Sequence, residues 1–184
     1  MHRKSLRGSR VLSGSRVLFL SLVVLFVLPI GCGYHLARPG NNLPADVHSL
    51  AIPILRNETT EVGIEALLTD ELRRRFAESG WIELVDVEQA DAVLVGSVEK
   101  FKTSAISFSS SDYAVEYRAS LRVAIRLVDR RGVTLWEDRN LVKLREYRAV
   151  PDIFDSEANK DEAIRWLVRE VSADVHDRIF DGFN

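Results

Sequence analysis

Of 184 residues, 46% are hydrophobic and 28% charged, the balance of a chain that can bury a core. Lys and Arg number 25 against 27 Asp and Glu, for a formal charge of −2. That excludes a general polyanion binder, so nucleic acid is not an expected partner and any contact with phosphate must come from a local patch. The single cysteine, Cys32, excludes an intramolecular disulfide.

The first 31 residues do not read as part of a fold. Arg3, Lys4, Arg7, Arg10 and Arg16 make this stretch basic, and it holds no acid. Val17 to Ile30 is apolar apart from Ser21, and Gly31 precedes Cys32. A charged segment, an apolar run of about 14 residues and a small residue before a cut is the pattern of an export signal. The run falls short of the ~20 residues a helix needs to cross a bilayer.

Leu28-Pro29-Ile30-Gly31-Cys32 resembles a lipobox, with Pro29 where that pattern prefers Leu. Residues 1–31 are therefore expected to be removed as a lipoprotein signal peptide, and Cys32 to carry the lipid, palmitate included. Several acyl chains anchor stably where one does not. Gly33 after the cysteine implies, by the lipoprotein sorting rule, the outer membrane of a Gram-negative cell. Losing five basic residues and no acid takes the charge from −2 to −7.

Residues 32–46 are rich in Gly, Pro and Asn and lack periodicity, which predicts a lipidated tether; residues 47–184 are expected to form one domain. Val47 to Leu55 is β-rich and reads as a first strand, with Asn57, Thr59 and Thr60 supplying turn and helix-cap chemistry. From Glu61 to Ser79, Ile64, Leu67, Leu68, Leu72 and Phe76 keep the spacing of one helical stripe, closed by Gly80. Trp81 to Val87 is a short strand or extended link, and Ala92 to Lys102 a further strand. The Ser-rich stretch Thr103 to Asp112, holding Ile106 and Phe108, is a loop or the frayed ends of two strands.

Strict alternation from Val115 to Val128 predicts a half-buried strand. Val115, Tyr117, Ala119, Leu121, Val123, Ile125 and Leu127 take one face; Glu116, Arg118, Ser120, Arg122, Ala124 and Arg126 take the other. Asp129 to Gly132 is a hairpin turn, and Val133 to Tyr147 returns as the partner strand. After Pro151, Asn159 and Glu162 form a capping-box variant, and Ile164, Leu167, Val168, Val171, Val175 and Ile179 make a second helical stripe ending near Gly182. The order predicts an α+β fold with two helices packed on one face of a mostly antiparallel four-stranded sheet.

No reaction chemistry emerges. His2, His35, His48 and His176 are scattered without metal-ligand spacing, and Cys32 is committed to lipid. Ser109 to Ser111 lacks a nucleophile elbow, and no Gly-rich phosphate loop is present. The chain is expected to bind or scaffold rather than catalyse, with no cofactor and no metal.

Cys32-Gly33-Tyr34-His35-Leu36, Leu43-Pro44, Ala51-Ile52-Pro53, Asn57-x-Thr59 and Ala90-Asp91-Ala92-x-Leu94-x-Gly96 resemble the LptE family of lipopolysaccharide-assembly lipoproteins. The resemblance covers nearly the whole mature chain. It implies a lipoprotein that sits as a plug inside the LptD outer-membrane β-barrel, helps assemble it, and with it moves lipopolysaccharide to the outer leaflet. Arg118, Arg122 and Arg126 fall four apart on one strand face, roughly 13 Å between neighbours at ~3.3 Å per residue. They form a basic stripe that suits phosphates of lipid A or acidic groups of a partner. Lys100, Lys102, Arg130 and Arg131 are candidates to extend it; cross-strand acids such as Glu137 or Asp138 are the ordinary structural alternative. A similar element order occurs in lipoproteins that activate cell-wall synthases and in curli-type export subunits.

Overall fold

The computed structural model describes residues 43–44, 46–110, 113–150 and 152–180. The segment expected to be a signal peptide, Cys32 and most of the expected tether lie outside the described residues, as do Pro151 and the end of the chain around Gly182.

Among the described residues, six strands and two helices follow in the order β1 (Ser49–Ala51), β2 (Arg56–Asn57), α1 (Ile64–Ser79), β3 (Glu83–Leu84), β4 (Ala92–Phe108), β5 (Ala114–Asp129), β6 (Thr134–Arg148) and α2 (Ile153–Phe180). The sheet order is β3-β1-β4-β5-β6, with β2 also on β4. The α+β class with two helices agrees with the sequence. The sheet is six-stranded and mixed, not four-stranded and antiparallel: β1 runs parallel to β3 and β4, and β2 parallel to β4. Apolar periodicity gives a strand's faces but not its direction. Here the chain leaves β2, climbs through α1 and returns, and that crossover forces the parallel pairings.

Val47 to Leu55 is not one strand. β1 pairs with Ala92 and Val93, β2 with Ser97 and Val98, so the two lie in line along β4 with a break between. Pro53 sits in the break, where it has no N–H to give a ladder. The helix supplies partners for the interrupted backbone. The Leu55 N–H donates to Thr69 Oγ1 at 3.0 Å in a buried setting, and Arg73 Nε donates to the Ile52 carbonyl at 2.8 Å.

α1 starts at Ile64 after Gly63 (φ 86), three residues later than the Glu61 boundary read from the sequence. Asn57 and Thr59 are spent on the preceding turn: Asn57 Oδ1 accepts from the Thr59 N–H at 2.9 Å, and Asn57 Nδ2 donates to the Glu61 carbonyl at 2.8 Å. Gly80 ends the helix at φ 65, a left-handed conformation that glycine adopts without penalty. α2 begins at Ile153, well before Asn159. Asp152 is the acid that caps it, Oδ1 accepting from the Phe154 N–H at 2.8 Å. Asn159 lies inside the helix and donates to the Arg148 carbonyl at 3.0 Å.

The core is one cluster. Leu68, Leu72 and Phe76 of α1 and Leu167, Val171, Val175 and Ile179 of α2 are buried with Leu94 and Val98 of β4 and with Ala119, Leu121, Val123, Ile125 and Leu127 of β5. Each of these larger side chains contributes about 1.5–3 kcal/mol through burial. Leu67, expected on the α1 stripe, is exposed instead. All five core residues of β5 are odd-numbered, so both helices cover that face and the even-numbered face of β5 is left bare. The Ser-rich stretch after Lys102 is strand as far as Phe108, since β5 pairs with it along its length.

An open cationic face as the candidate functional site

The bare face is built by cross-strand rows, because residues directly opposite one another in an antiparallel ladder share a face. Arg126 stands between Val95 and Glu137, Arg122 between Lys100 and Val142, Ser120 between Lys102 and Leu144, and Arg118 between Ser104 and Glu146. Five of the seven cations proposed from the sequence therefore share one face.

A bulge puts two of them there. Along β4, the core residues Ala92, Leu94 and Val98 are even-numbered. Simple alternation would carry Lys100 and Lys102 into the core. The register shift between Val98 and Lys100 inserts one extra residue, Glu99, and inverts the faces. Phe101 turns inward opposite Leu121, and both lysines come out beside Arg122.

The row Lys100–Arg122 sets two cations directly opposite one another, an arrangement that costs stability. Among the described residues no carboxylate lies within ion-pair distance of Lys100, Lys102, Arg122 or Arg126. Arg118 is the exception on this face, meeting Glu146 at 2.7 Å. Glu137, opposite Arg126, is held by Arg139 at 2.8 Å; that hydrogen bond, reinforced by Arg126, keeps its carboxyl below the usual range. Where the face meets β2, Ile54, Arg56, Ser97, Arg126 and Arg139 line a depression of about 600 Å³. Exposed Val142 and Leu144 border the cations on the β6 side.

Arg130 and Arg131 lie elsewhere, at the β5–β6 turn. Arg130 donates to the carbonyls of Ala90 and Gln89, each at 2.7 Å, and meets Asp91 at 3.1 Å. Arg131 meets Asp129 at 2.8 Å, and Gly132 (φ 81) completes the turn. Asp91 is the hub at this end. One of its oxygens accepts from the backbone N–H groups of His48 and Ser49 at 3.0 Å and from the Ser49 hydroxyl at 2.8 Å. The His48 N–H is the main reason its carboxyl sits below the ordinary value, followed by the Ser49 hydroxyl, with Arg130 adding to them.

No sequence signal marks Val142 and Leu144 as exposed or Lys100 as opposed to Arg122. Both follow from register. Among the described residues no group of three or more His, Cys, Asp or Glu is placed to hold a metal, and no helix is long and apolar enough to cross a membrane. What the arrangement can do is bind. Unpaired guanidinium and ammonium groups on a rigid sheet, edged by apolar side chains, suit an anionic or amphiphilic partner.

A two-helix layer over one face of a mixed sheet, with the opposite face open, is a fold found in bacterial lipoproteins. An uncharacterized lipoprotein B from Nitrosomonas europaea has 15% identity and a TM-score of 0.56, the alignment covering 73% of this chain and 83% of that one. The rare lipoprotein B from Shewanella oneidensis has 15% identity and a TM-score of 0.52, covering 70% of this chain and 91% of that one. No curated protein matches the sequence. The family model for LptE, lipopolysaccharide-assembly, matches residues 47–180, and the chain belongs to that family.

Proposed function

We propose that the chain is an outer-membrane lipoprotein, acylated at Cys32 after removal of residues 1–31. In this reading it plugs and assembles an LptD-type β-barrel and helps deliver lipopolysaccharide to the outer leaflet. Membership of the lipopolysaccharide-assembly family supports the process. One observation carries the site: among the described residues no acid lies within ion-pair distance of Lys100, Lys102 and Arg122 on the open face, and Arg126 beside them faces Glu137, which Arg139 already holds, in a chain that is acidic overall. An array of unneutralised cations on an acidic domain is retained at a cost, and binding an anion recovers that cost. The phosphates of lipid A and the acidic groups lining a barrel lumen are the anions this role supplies. No step in such a role needs a covalent reaction.

The test replaces Lys100, Arg122 and Arg126 together with Ala. The triple variant should fold as the parent does, lose at least tenfold in affinity for lipopolysaccharide or for the co-purified barrel, and show a shallower salt dependence. Unchanged affinity in a folded variant would retire the open face as the binding surface. Mass spectrometry of the chain from a Gram-negative host tests the anchor: a mature polypeptide starting at an acylated Cys32 is expected.

A further inference from the structure

The cations of the open face are not equivalent. Arg118 is held by Glu146 at 2.7 Å, and Arg126 faces Glu137, which Arg139 already engages at 2.8 Å. Between these two acid-bearing rows lie Lys100 opposite Arg122 and Lys102 opposite Ser120. Among the described residues no carboxylate comes within ion-pair distance of these three cations. The evenly spaced arginines of β5 thus give way to one compact cluster drawn from two strands.

The dimensions of the cluster follow from the ladder. Residues directly opposite sit about 5 Å apart at Cβ, and diagonal neighbours about 7–8 Å. Residues two apart on one strand are separated by about 7 Å. Lys100, Lys102 and Arg122 are therefore corners of a small triangle, and their long side chains can bring all three heads onto one group. An anion with a single charge leaves most of their mutual repulsion standing. A phosphate monoester carries about −1.5 to −2 at pH 7 and three terminal oxygens, one for each head. A phosphodiester has one charge shared by two oxygens.

The neighbouring strand says what the phosphate is attached to. Val142 stands opposite Arg122 and Leu144 opposite Ser120, on the same face and in the same two rows as the cations. Their side chains are 39% and 53% exposed. β6 runs about 4.8 Å beyond β5, so an acyl chain next to the bound phosphate falls on them. A free phosphate or an acidic protein side chain leaves them bare.

We propose that Lys100, Lys102 and Arg122 form one site for the phosphate monoester of an acylated lipid, and that the site selects this group over the phosphodiester of common phospholipids. The inference rests on the proposed function of the open face and adds the class of anion that face takes. Selection comes from the opposed Lys100–Arg122 pair, whose repulsion is relieved further by two negative charges than by one.

The experiment uses the full chain in nonionic detergent, titrated by calorimetry with short-chain phosphatidic acid, a monoester, and with phosphatidylglycerol of the same acyl chains, a diester. Phosphatidic acid should bind at least about fivefold more tightly at about pH 7.5. Lowering the pH to about 5 removes the second charge of the monoester, which ionises near 6, and should erase most of the preference. The double variant Lys100→Gln/Lys102→Gln should bring the ratio close to one, whereas Arg74→Gln on α1 should leave it unchanged. The comparison of lipids on the parent chain decides the matter if the double variant does not fold. Glycerol 3-phosphate, a monoester without acyl chains, should bind at least about fivefold more weakly than phosphatidic acid. Equal affinity for the two lipids, a preference that survives the double variant, or glycerol 3-phosphate binding as tightly as phosphatidic acid would overturn the inference. Equal affinity in a chain that still binds lipopolysaccharide leaves the proposed function standing. A monoester preference in a chain that binds no lipopolysaccharide sinks that function and keeps this site.

Discussion

Lys100 and Arg122 face each other across the β4–β5 ladder on the side of the sheet that no helix covers. The arrangement opposes folding and favours an anionic ligand, so stability and binding should respond to mutation in opposite directions. Lys100→Thr is expected to raise stability by roughly 0.2–1 kcal/mol, the usual scale of a cross-strand pair. The same change should weaken binding to vesicles doped with an anionic lipid. Urea denaturation and vesicle flotation on one preparation measure both, and a variant that lost stability would show that the two cations do not repel as placed.

Asp91 makes stability depend on acidity. Hydrogen bonds from the His48 N–H, the Ser49 hydroxyl and the Ser49 N–H, together with the neighbouring charge of Arg130, hold its folded carboxyl below the ordinary value near 3.8. A depressed carboxyl contributes its full share above the unfolded value and loses it as pH falls through the lower folded one. Asp91→Asn should therefore melt below the parent at pH 7, with the gap closing below about pH 4. Thermal melts from pH 2 to 7 check this; a gap that stays constant with pH would assign the loss to geometry instead of charge.

Gly96 is tied to its position by backbone. A Cβ there would come within 2.3 Å of the Ala124 carbonyl oxygen and 3.1 Å of Ile125 Cα, and neither can swing aside as a side-chain tip does. Gly96→Ala should destabilise by about 1–3 kcal/mol, the range for overpacking. The readout is a lower urea midpoint at unchanged slope.

Thr69→Val tests the break between β1 and β2. It keeps the shape of the side chain but strips the Leu55 N–H of the hydroxyl acceptor it has in a buried place. A loss of about 1–3 kcal/mol is expected, with Thr69→Ser recovering most of it. If Val costs nothing, the hydroxyl does not hold the interrupted strand.

The parts legible in the sequence are those that local pattern determines. Alternation along β5 named its core face and its bare face, since side chains point to opposite sides at every step. The stripe from Ile164 to Ile179 gave the buried side of α2 for the same reason at helical period, and Gly80 and Gly132 marked a helix end and a turn through the backbone angles they permit. Where two local signals competed, reading failed. The capping pair at Asn159 hid the earlier acid, Asp152, and a β-rich run hid the break at Pro53.

Only the tertiary structure decided strand direction and parity. That β1 and β2 lie parallel to β4 depends on how α1 crosses over, which no window of residues encodes. That Lys100 and Lys102 join Arg118, Arg122 and Arg126 depends on one inserted residue, Glu99, and a bulge exists only relative to the strand beside it. A single-residue slip sends every later side chain to the opposite face. The composition of the open face is therefore a property of the pairing between two strands, written in neither alone.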